Sequence, residues 1–445
     1  MAYDGDISGI LSRAIPGVVS FDTLSNVVQA NAEGLRVKVR HSTQCPDDVQ
    51  GAQVKGSKTA ALETELFVKR IIASAYAKKS WADLRRTLIY ARTEVRFYNE
   101  VLPMLETRGL ETLTPKCFDG GCDFIGLINE SESSSDVNNP PASGEASDTA
   151  TLELNGRGAH LVLQSLADSA CIGGEMYYQQ SPVSPDQARQ CLAAVAKLHA
   201  TGWENVDVLK VVSDRLGECG GSYHLSIRNP KELSKIEEAW EAFRANFEHL
   251  DPGFFGKESV KALGRRMLHM ANFVSNELSP SPSSPHATIV HGDYKAMNVF
   301  LPKSGAPESV VVIDYASTGL GVGMSDVAMF ITHALEAEHL RDGGEECLVD
   351  FYMDALETAR QRMANGMTIQ SYARELSLRH YRLATVDYCR FIMGRFWNTA
   401  TPASFEKNKA NANVTLVNRN VQAAMAFVDR ADRYLQIFEE ERAQL

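Results

Sequence analysis

The chain has 445 residues, of which 44% are hydrophobic and 23% charged, with a formal net charge of −11. Those proportions belong to a globular protein that can bury a core without disulfide or metal staples. The acidic balance argues against a nucleic-acid binder, which carries a basic face. No apolar run approaches the ~20 residues that span a bilayer, so no membrane partner is expected.

The start, "MAYDGDISGI", lacks a basic region followed by an apolar stretch, which makes the cytoplasm the expected compartment. The eight cysteines at 45, 117, 122, 171, 191, 219, 347 and 389 show no C-x-x-C pair. They read as reduced, mostly buried thiols rather than as a zinc or thioredoxin-like site.

In chain order, "NVVQAN", "LRVKVRH" and "TELFVKRII" carry the β-branched alternation of strands. "ANAEG" (30–34) reads as the tight connection between the first two, with Gly34 free to take unusual dihedrals. "STQCPDDVQGAQVKGSKT" is a polar loop. A helix is expected over roughly 80–102, with Leu84, Leu88, Ala91, Val95, Tyr98 and Leu102 on one stripe and Pro103 as its limit. "NESESSSDVNNPPASGEASD" (129–148) has no apolar periodicity and reads as a disordered loop.

"AHLVLQSL" (159–166) reads as a buried strand. The helix after it should start at Ser184 as N-cap, with Pro185 in the first turn. From there the pattern is mainly helical, broken by a surface loop "SPSPSSPH" (279–286) and by short strands in "TIVHGD" (288–293) and "ESVVVIDYAS" (308–317). The helix "HYRLATVDYCRFIMGRFWN" (380–398) reads either as core packing with arginines at its edge or as a wall of a substrate pocket.

Between the two short strands lies "HGDYKAMN". Phosphoryl transfer needs a carboxylate near the attacking hydroxyl, positive charge around the moving group and Mg²⁺ ligands. Asp293 would orient the hydroxyl and accept its proton, Lys295 would face the phosphate, and Asn298 would offer an amide oxygen to a metal ion. "VVVID" then returns to the same place with Asp314, a hard oxygen ligand for Mg²⁺. His291 is expected to brace the loop and to take no proton.

"HGDYKAMN" followed by "VVVIDYASTGLGVGMSDVAMFI" resembles the aminoglycoside phosphotransferase and choline kinase-like superfamily, including its ecdysteroid kinase-like branch. His291, Asp293 and Asn298 meet its H-x-D-x-x-x-x-N pattern, Asp314 its metal aspartate, and Asp326 the aspartate that braces the catalytic loop. Two residues after the metal aspartate, where many relatives carry an acid or Gln, this chain has Ala316. The resemblance implies a lysine on the third strand, met by Lys69, and a glutamate on the next helix, met by Glu94 better than by Glu100. It makes "ANAEG", with Gly34, the nucleotide-covering turn. It sets adenine against "HLVLQSL", with backbone contacts near Gln164 and Leu166.

The expected fold is α+β and bilobal, protein-kinase-like, with a small antiparallel sheet lobe over residues 1–166 and a helical lobe over 167–445. The expected activity is ATP- and Mg²⁺-dependent phosphorylation of a small-molecule alcohol, an amino alcohol first, by a monomer or homodimer. A protein kinase and a nucleotide-binding pseudokinase are the rivals. Against the first stand the missing A-P-E-like segment and activation-loop insertion. Against the second stands the completeness of the acid, amide and lysine set.

Overall fold

The computed structural model describes residues 6–28, 32–42, 61–110, 113–132, 153–166, 176–306, 309–364 and 369–444. Of the predicted loop 42–59, Ser42 ends a strand and 43–59 lie outside them, as does most of the low-complexity stretch, 133–148. The amino-terminal part is an antiparallel five-stranded sheet in the order β1-β2-β3-β5-β4. Its strands are β1 (Val18–Val28), β2 (Glu33–Ser42), β3 (Ala61–Ile72), β4 (Cys117–Asp123) and β5 (Gly158–Gln164).

Strand alternation gives this sheet two different faces. Leu35, Val37 and Val39 of β2 join Leu66, Val68 and Val162 in a buried cluster. Helix α1 (Ile7–Ala14) covers that cluster with Ile10, Leu11 and Ala14. On the opposite face Arg36 pairs with Glu65 at 3.2 Å and Arg40 with Glu63 at 3.0 Å. Lys69 and Gly34 are directly paired across β3 and β2, so they share a face, as opposite residues of an antiparallel pair do.

Ser80 caps helix α2 (Trp81–Arg96) by accepting the Asp83 N–H at 3.2 Å. Pro103 does not end the helical run. The chain passes through a π-turn at Phe97–Val101 into α3 (Leu102–Glu106), with the proline in its first turn. Inside a continuous run the proline forgoes one backbone hydrogen bond, and the wider π-turn relieves its clash with the preceding turn. Strand β4, "CFDGGCD", gave no strand signal because paired glycines and acids have poor strand preference.

Beyond β5 come β6 (Tyr177–Tyr178), α4 (Pro185–Gly202) and α5 (Val206–Arg215). Ser184 and Gln187 form a full capping box at the start of α4. The two predicted strands are shorter than their apolar runs: β7 is Ala287–Val290 and β9 is Val311–Val312. They pair with different partners. β7 joins β10 (Gly319–Val322), while β9 joins β8 (Val299–Pro302), which also pairs with β6. The rest of each run is loop, and that loop holds the candidate site.

Four long helices, Met324–Ala334, Gly344–Met363, Arg374–Phe396 and Val421–Ala443, pack around these strands. Tyr381, Tyr388, Cys389 and Trp397 are buried, and Trp397 stacks on Phe243 at 4.2 Å. Most of the 380–398 segment is therefore core. Of the described cysteines, Cys191 and Cys389 are buried but Cys122 and Cys347 are exposed; all are free thiols. No helix among the described residues is long and apolar enough to cross a membrane.

Candidate active site

Two loops, each leaving a strand, form the floor of the cleft under the sheet. The backbone joins them: the Ile313 N–H donates to the Asn298 carbonyl at 3.0 Å, and Val299 pairs with Val312. The ends of "HGDYKAMN" and "VVVID" are thereby held side by side. Asp314 takes a left-handed conformation, φ 69° and ψ 62°, which turns its carboxylate off the strand line. Few residue types tolerate that region, and Asp is one of them.

From the sheet above, the Lys69 ammonium donates to Glu94 at 2.6 Å and to Asp314 at 2.9 Å. Burial works against this ammonium, but the charges of Asp314 and Glu94 outweigh it and hold its pKa above the ordinary lysine value. Burial likewise pushes the Asp314 carboxyl up, and the nearby Lys69 and Lys295 pull it down further, to about 2. One Asp314 oxygen faces Lys69, and 34% of the side chain stays open. Glu100 is engaged elsewhere, in a two-pronged pair with Arg215 at 2.5 and 2.8 Å.

On the other side of the cleft, Lys295 donates to Asp293 at 2.8 Å. Asn298 donates to the Asp293 carbonyl at 2.8 Å and to its carboxylate at 3.3 Å. Both Asn298 contacts use the amide nitrogen, so the amide oxygen points away and accepts nothing among the described residues. Burial opposes charge on Asp293, yet Lys295 brings its pKa below the usual carboxylate range. The same contact raises the Lys295 ammonium. Asp293 feels the charge of Asp314, and Lys295 acts on both carboxylates, which places the two groups in one cleft.

The loop is held from behind. Asp326, fully buried, accepts the His291 N–H at 2.7 Å, the Gly292 N–H at 2.9 Å and the His199 imidazole at 3.0 Å. His199 in turn takes the Tyr352 hydroxyl at 2.7 Å. His291 donates through Nε2 to the Ile313 carbonyl at 2.9 Å and accepts the Asp293 N–H at Nδ1, 3.3 Å. With both ring nitrogens engaged it has no free position for a proton relay. Tyr315, next to Asp314, stacks flat on Phe97 at 3.9 Å and lies 4.9 Å from His291. That stack ties the α2 end to both loops.

The remaining predicted residues sit around this centre. Gly34 lies inside β2 rather than in the turn that precedes it. At the end of β5 the Gln164 N–H is spent on the Lys116 carbonyl at 2.8 Å and the Ser165 N–H on Glu65 at 3.3 Å. The Leu166 N–H makes no hydrogen bond among the described residues. Asp387, in the helix Arg374–Phe396, is buried and bound by Arg390 at 2.7 Å.

Three contributors had no sequence signal strong enough to single them out. His199 lies in an ordinary amphipathic helix, and the Phe97–Tyr315 stack joins distant apolar segments. Ser222, in "GGSYH", donates its hydroxyl to Asp293 at 3.1 Å.

Comparison with known proteins adds an independent line. Residues 149–365 match the sequence model of the ecdysteroid kinase-like family. That span holds β5, "HGDYKAMN", Asp314 and Asp326, and leaves Gly34, Lys69 and Glu94 outside. No curated protein matches the chain in sequence. Among solved structures, the chain overlaps an aminoglycoside phosphotransferase from Alicyclobacillus acidocaldarius subsp. acidocaldarius at 10% identity and TM-score 0.41, covering 100% of this chain and 98% of that one. It overlaps a choline kinase from Streptococcus pneumoniae at 10% identity and TM-score 0.40, covering 95% and 98%. Residues 149–365, a little under half of the chain, therefore carry a similarity to the ecdysteroid kinase-like family, and the candidate catalytic loop lies inside that span.

Proposed function

We propose that the protein transfers the terminal phosphoryl group of ATP, with Mg²⁺, to a hydroxyl of a small-molecule alcohol. The observation that carries this reading is Lys69, whose ammonium bridges Glu94 and Asp314 beside the Asp293–Lys295–Asn298 group. A lysine so paired stays charged and fixed in direction, as a phosphate contact requires.

The residues fit the groups they would hold. Among the described residues no cluster of three or more His, Cys, Asp or Glu side chains forms a metal cage. Mg²⁺ suits such a site, because it takes one or two protein oxygens and completes its shell with phosphate and water. The open oxygen of Asp314 and the outward amide oxygen of Asn298 are the protein ligands of this reading. The metal, when bound, would offset charge on the phosphate oxygens.

Gly34 leaves no side chain on the face above Lys69, so the β2 backbone can approach a phosphate there. The free Leu166 N–H is the hinge donor for adenine; Gln164 contributes only its carbonyl, since its N–H is taken. Residues 1–166 would hold the nucleotide, and residues 167–445 would supply the catalytic loop and the acceptor site.

Asp293 would receive the acceptor hydroxyl. With Lys295 lowering its pKa it is a weak base, better at aiming the oxygen than at removing its proton early. That suits a loose transition state, in which the proton leaves late. An amino alcohol stands as the first class to test, since a net charge of −11 favours a cationic acceptor. The test is Mg²⁺-dependent ATP turnover against a panel of amino, neutral and acidic alcohols and a protein substrate. Turnover only with protein, or none with any acceptor, would sink the proposal; turnover restricted to non-amine alcohols would remove the amine preference alone.

A further inference from the structure

We infer that Ser222 is a positioning residue that sets the orientation of the Asp293 carboxylate; the inference rests on the proposed role of Asp293. Asp293 has one oxygen, Oδ2, facing Lys295 at 2.8 Å and Asn298 at 3.3 Å. Its other oxygen, Oδ1, receives the Ser222 hydroxyl at 3.1 Å. Lys295 and Asn298 alone hold one end of the carboxylate and leave it free to swing about that end. A donor on the second oxygen removes that freedom, and a group aimed to within a few tenths of an ångström needs such support.

The segment that carries Ser222 is built to arrive there. The Ser222 N–H donates to the Gly292 carbonyl at 2.6 Å, and the Gly221 N–H to the Ser317 carbonyl at 3.0 Å. Arg228, paired with Glu232 at 2.6 and 2.9 Å, donates to the Ser222 carbonyl at 3.2 Å. Residues 220–222 thus lie clamped between the catalytic loop and the residues after Asp314.

The clamp is close enough to demand glycine. A Cβ on Gly292, whose φ is +81°, would meet the Ser317 carbonyl oxygen at 2.1 Å and the Gly221 nitrogen at 2.6 Å. A Cβ on Gly220 would meet the Gly319 carbonyl carbon at 2.8 Å. Backbone bonds therefore place residue 222 whatever its side chain, and only the hydroxyl acts on Asp293. This separation makes the idea testable, because Ser222→Ala deletes the hydroxyl and leaves every backbone anchor.

The experiment compares wild type, Ser222→Ala and Ser222→Thr by steady-state kinetics, thermal melting and crystallography. Expected for Ser222→Ala are a kcat lower by roughly tenfold, as for loss of an orienting contact, with KM for ATP and the melting temperature unchanged. Ser222→Thr, which keeps the hydroxyl, should recover most of kcat. The crystal structure of Ser222→Ala should show the Asp293 carboxylate turned away from its wild-type orientation or split between two. An unmoved carboxylate in Ser222→Ala, or a kcat equal to wild type, overturns the inference. If the wild type phosphorylates no alcohol, the functional reading fails, and the crystallographic comparison still decides the role of Ser222.

Discussion

Asn298 spends its amide nitrogen on the main-chain carbonyl of Asp293, 2.8 Å away. The spacing of these two residues closes the loop on itself and leaves the Asn298 oxygen without a hydrogen bond among the described residues. A single hydrogen bond thus sets both the shape of the loop and the direction of a candidate metal ligand.

Replacing Asp293 by Asn keeps the size of the side chain and removes its charge. Turnover is expected to fall ~10²-fold or more, the usual loss with a positioned proton acceptor. ATP binding should stay nearly intact, since the role proposed for Asp293 is toward the acceptor and not the nucleotide. Turnover equal to wild type would remove Asp293 from the mechanism.

Asp314→Ala and Asn298→Ala should separate in their dependence on Mg²⁺. A carboxylate neutralises cation charge and an amide does not, so loss of Asp314 should weaken Mg²⁺-supported nucleotide binding the more severely. Calorimetric titrations of ATP at graded Mg²⁺ measure this. Equal Mg²⁺ dependence in wild type and both variants would contradict the assignment of these ligands.

Asp314 should also make stability fall in acid. Its folded pKa, about 2, lies below the ordinary aspartate value of 3.8. A group depressed in this way stabilises the fold above its unfolded value, and that contribution is lost as pH falls through the folded one. Melting temperature should therefore drop between about pH 4 and pH 2 through this group. In Asp314→Asn that part of the profile should be flatter; an unaltered profile would place the acid sensitivity elsewhere.

Asp326 is fully buried, and its carboxyl oxygens accept two backbone N–H groups and His199. Asp326→Asn would set an amide nitrogen against those donors. A loss of about 3 kcal/mol is expected, the size seen when one member of a buried charged network is removed. Denaturant melts measure it, and a change under ~0.5 kcal/mol would be that of an ordinary surface site.

The low-complexity segment divides at residue 132. Arg92 donates to the Asn129 carbonyl at 2.7 Å, Arg96 to Glu130 at 2.6 and 2.9 Å, and Arg85 to Glu132 at 2.9 Å. These arginines lie on the helix that also bears Glu94. Exchanging 133–148 for a short Gly/Ser connection should leave stability and turnover nearly unchanged, because closure entropy varies slowly with loop length. Exchanging 129–148 should lower both. Equal effects of the two exchanges would mean that the arginine contacts do not steady the helix.

Local chemistry made much of this legible beforehand. The alternation in "LRVKVRH", the Ser184–Pro185 start of α4 and the spacing in "HGDYKAMN" each report on contacts within a few residues. The family match over 149–365 covers the same loop motifs. Where a neighbour distant in sequence decides the outcome, the reading stopped short. Pro103 reads as a helix end, and only packing around the Phe97–Val101 π-turn lets the chain pass through it. Residues 129–132 read as disordered, and three arginines from another element hold them.

The site divides along the same line. Residue type and spacing by themselves determined that an acid, a lysine, an amide and a second acid would sit on two adjacent loops, because those offsets act through the local backbone. Tertiary structure alone decided that Lys69 reaches both Glu94 and Asp314, that Glu100 is taken by Arg215, and that Ser222 meets Asp293. It also placed the aromatics of 380–398 mostly in the core. Such contacts join residues tens to hundreds of positions apart, and no local periodicity records which faces will meet once the chain has collapsed.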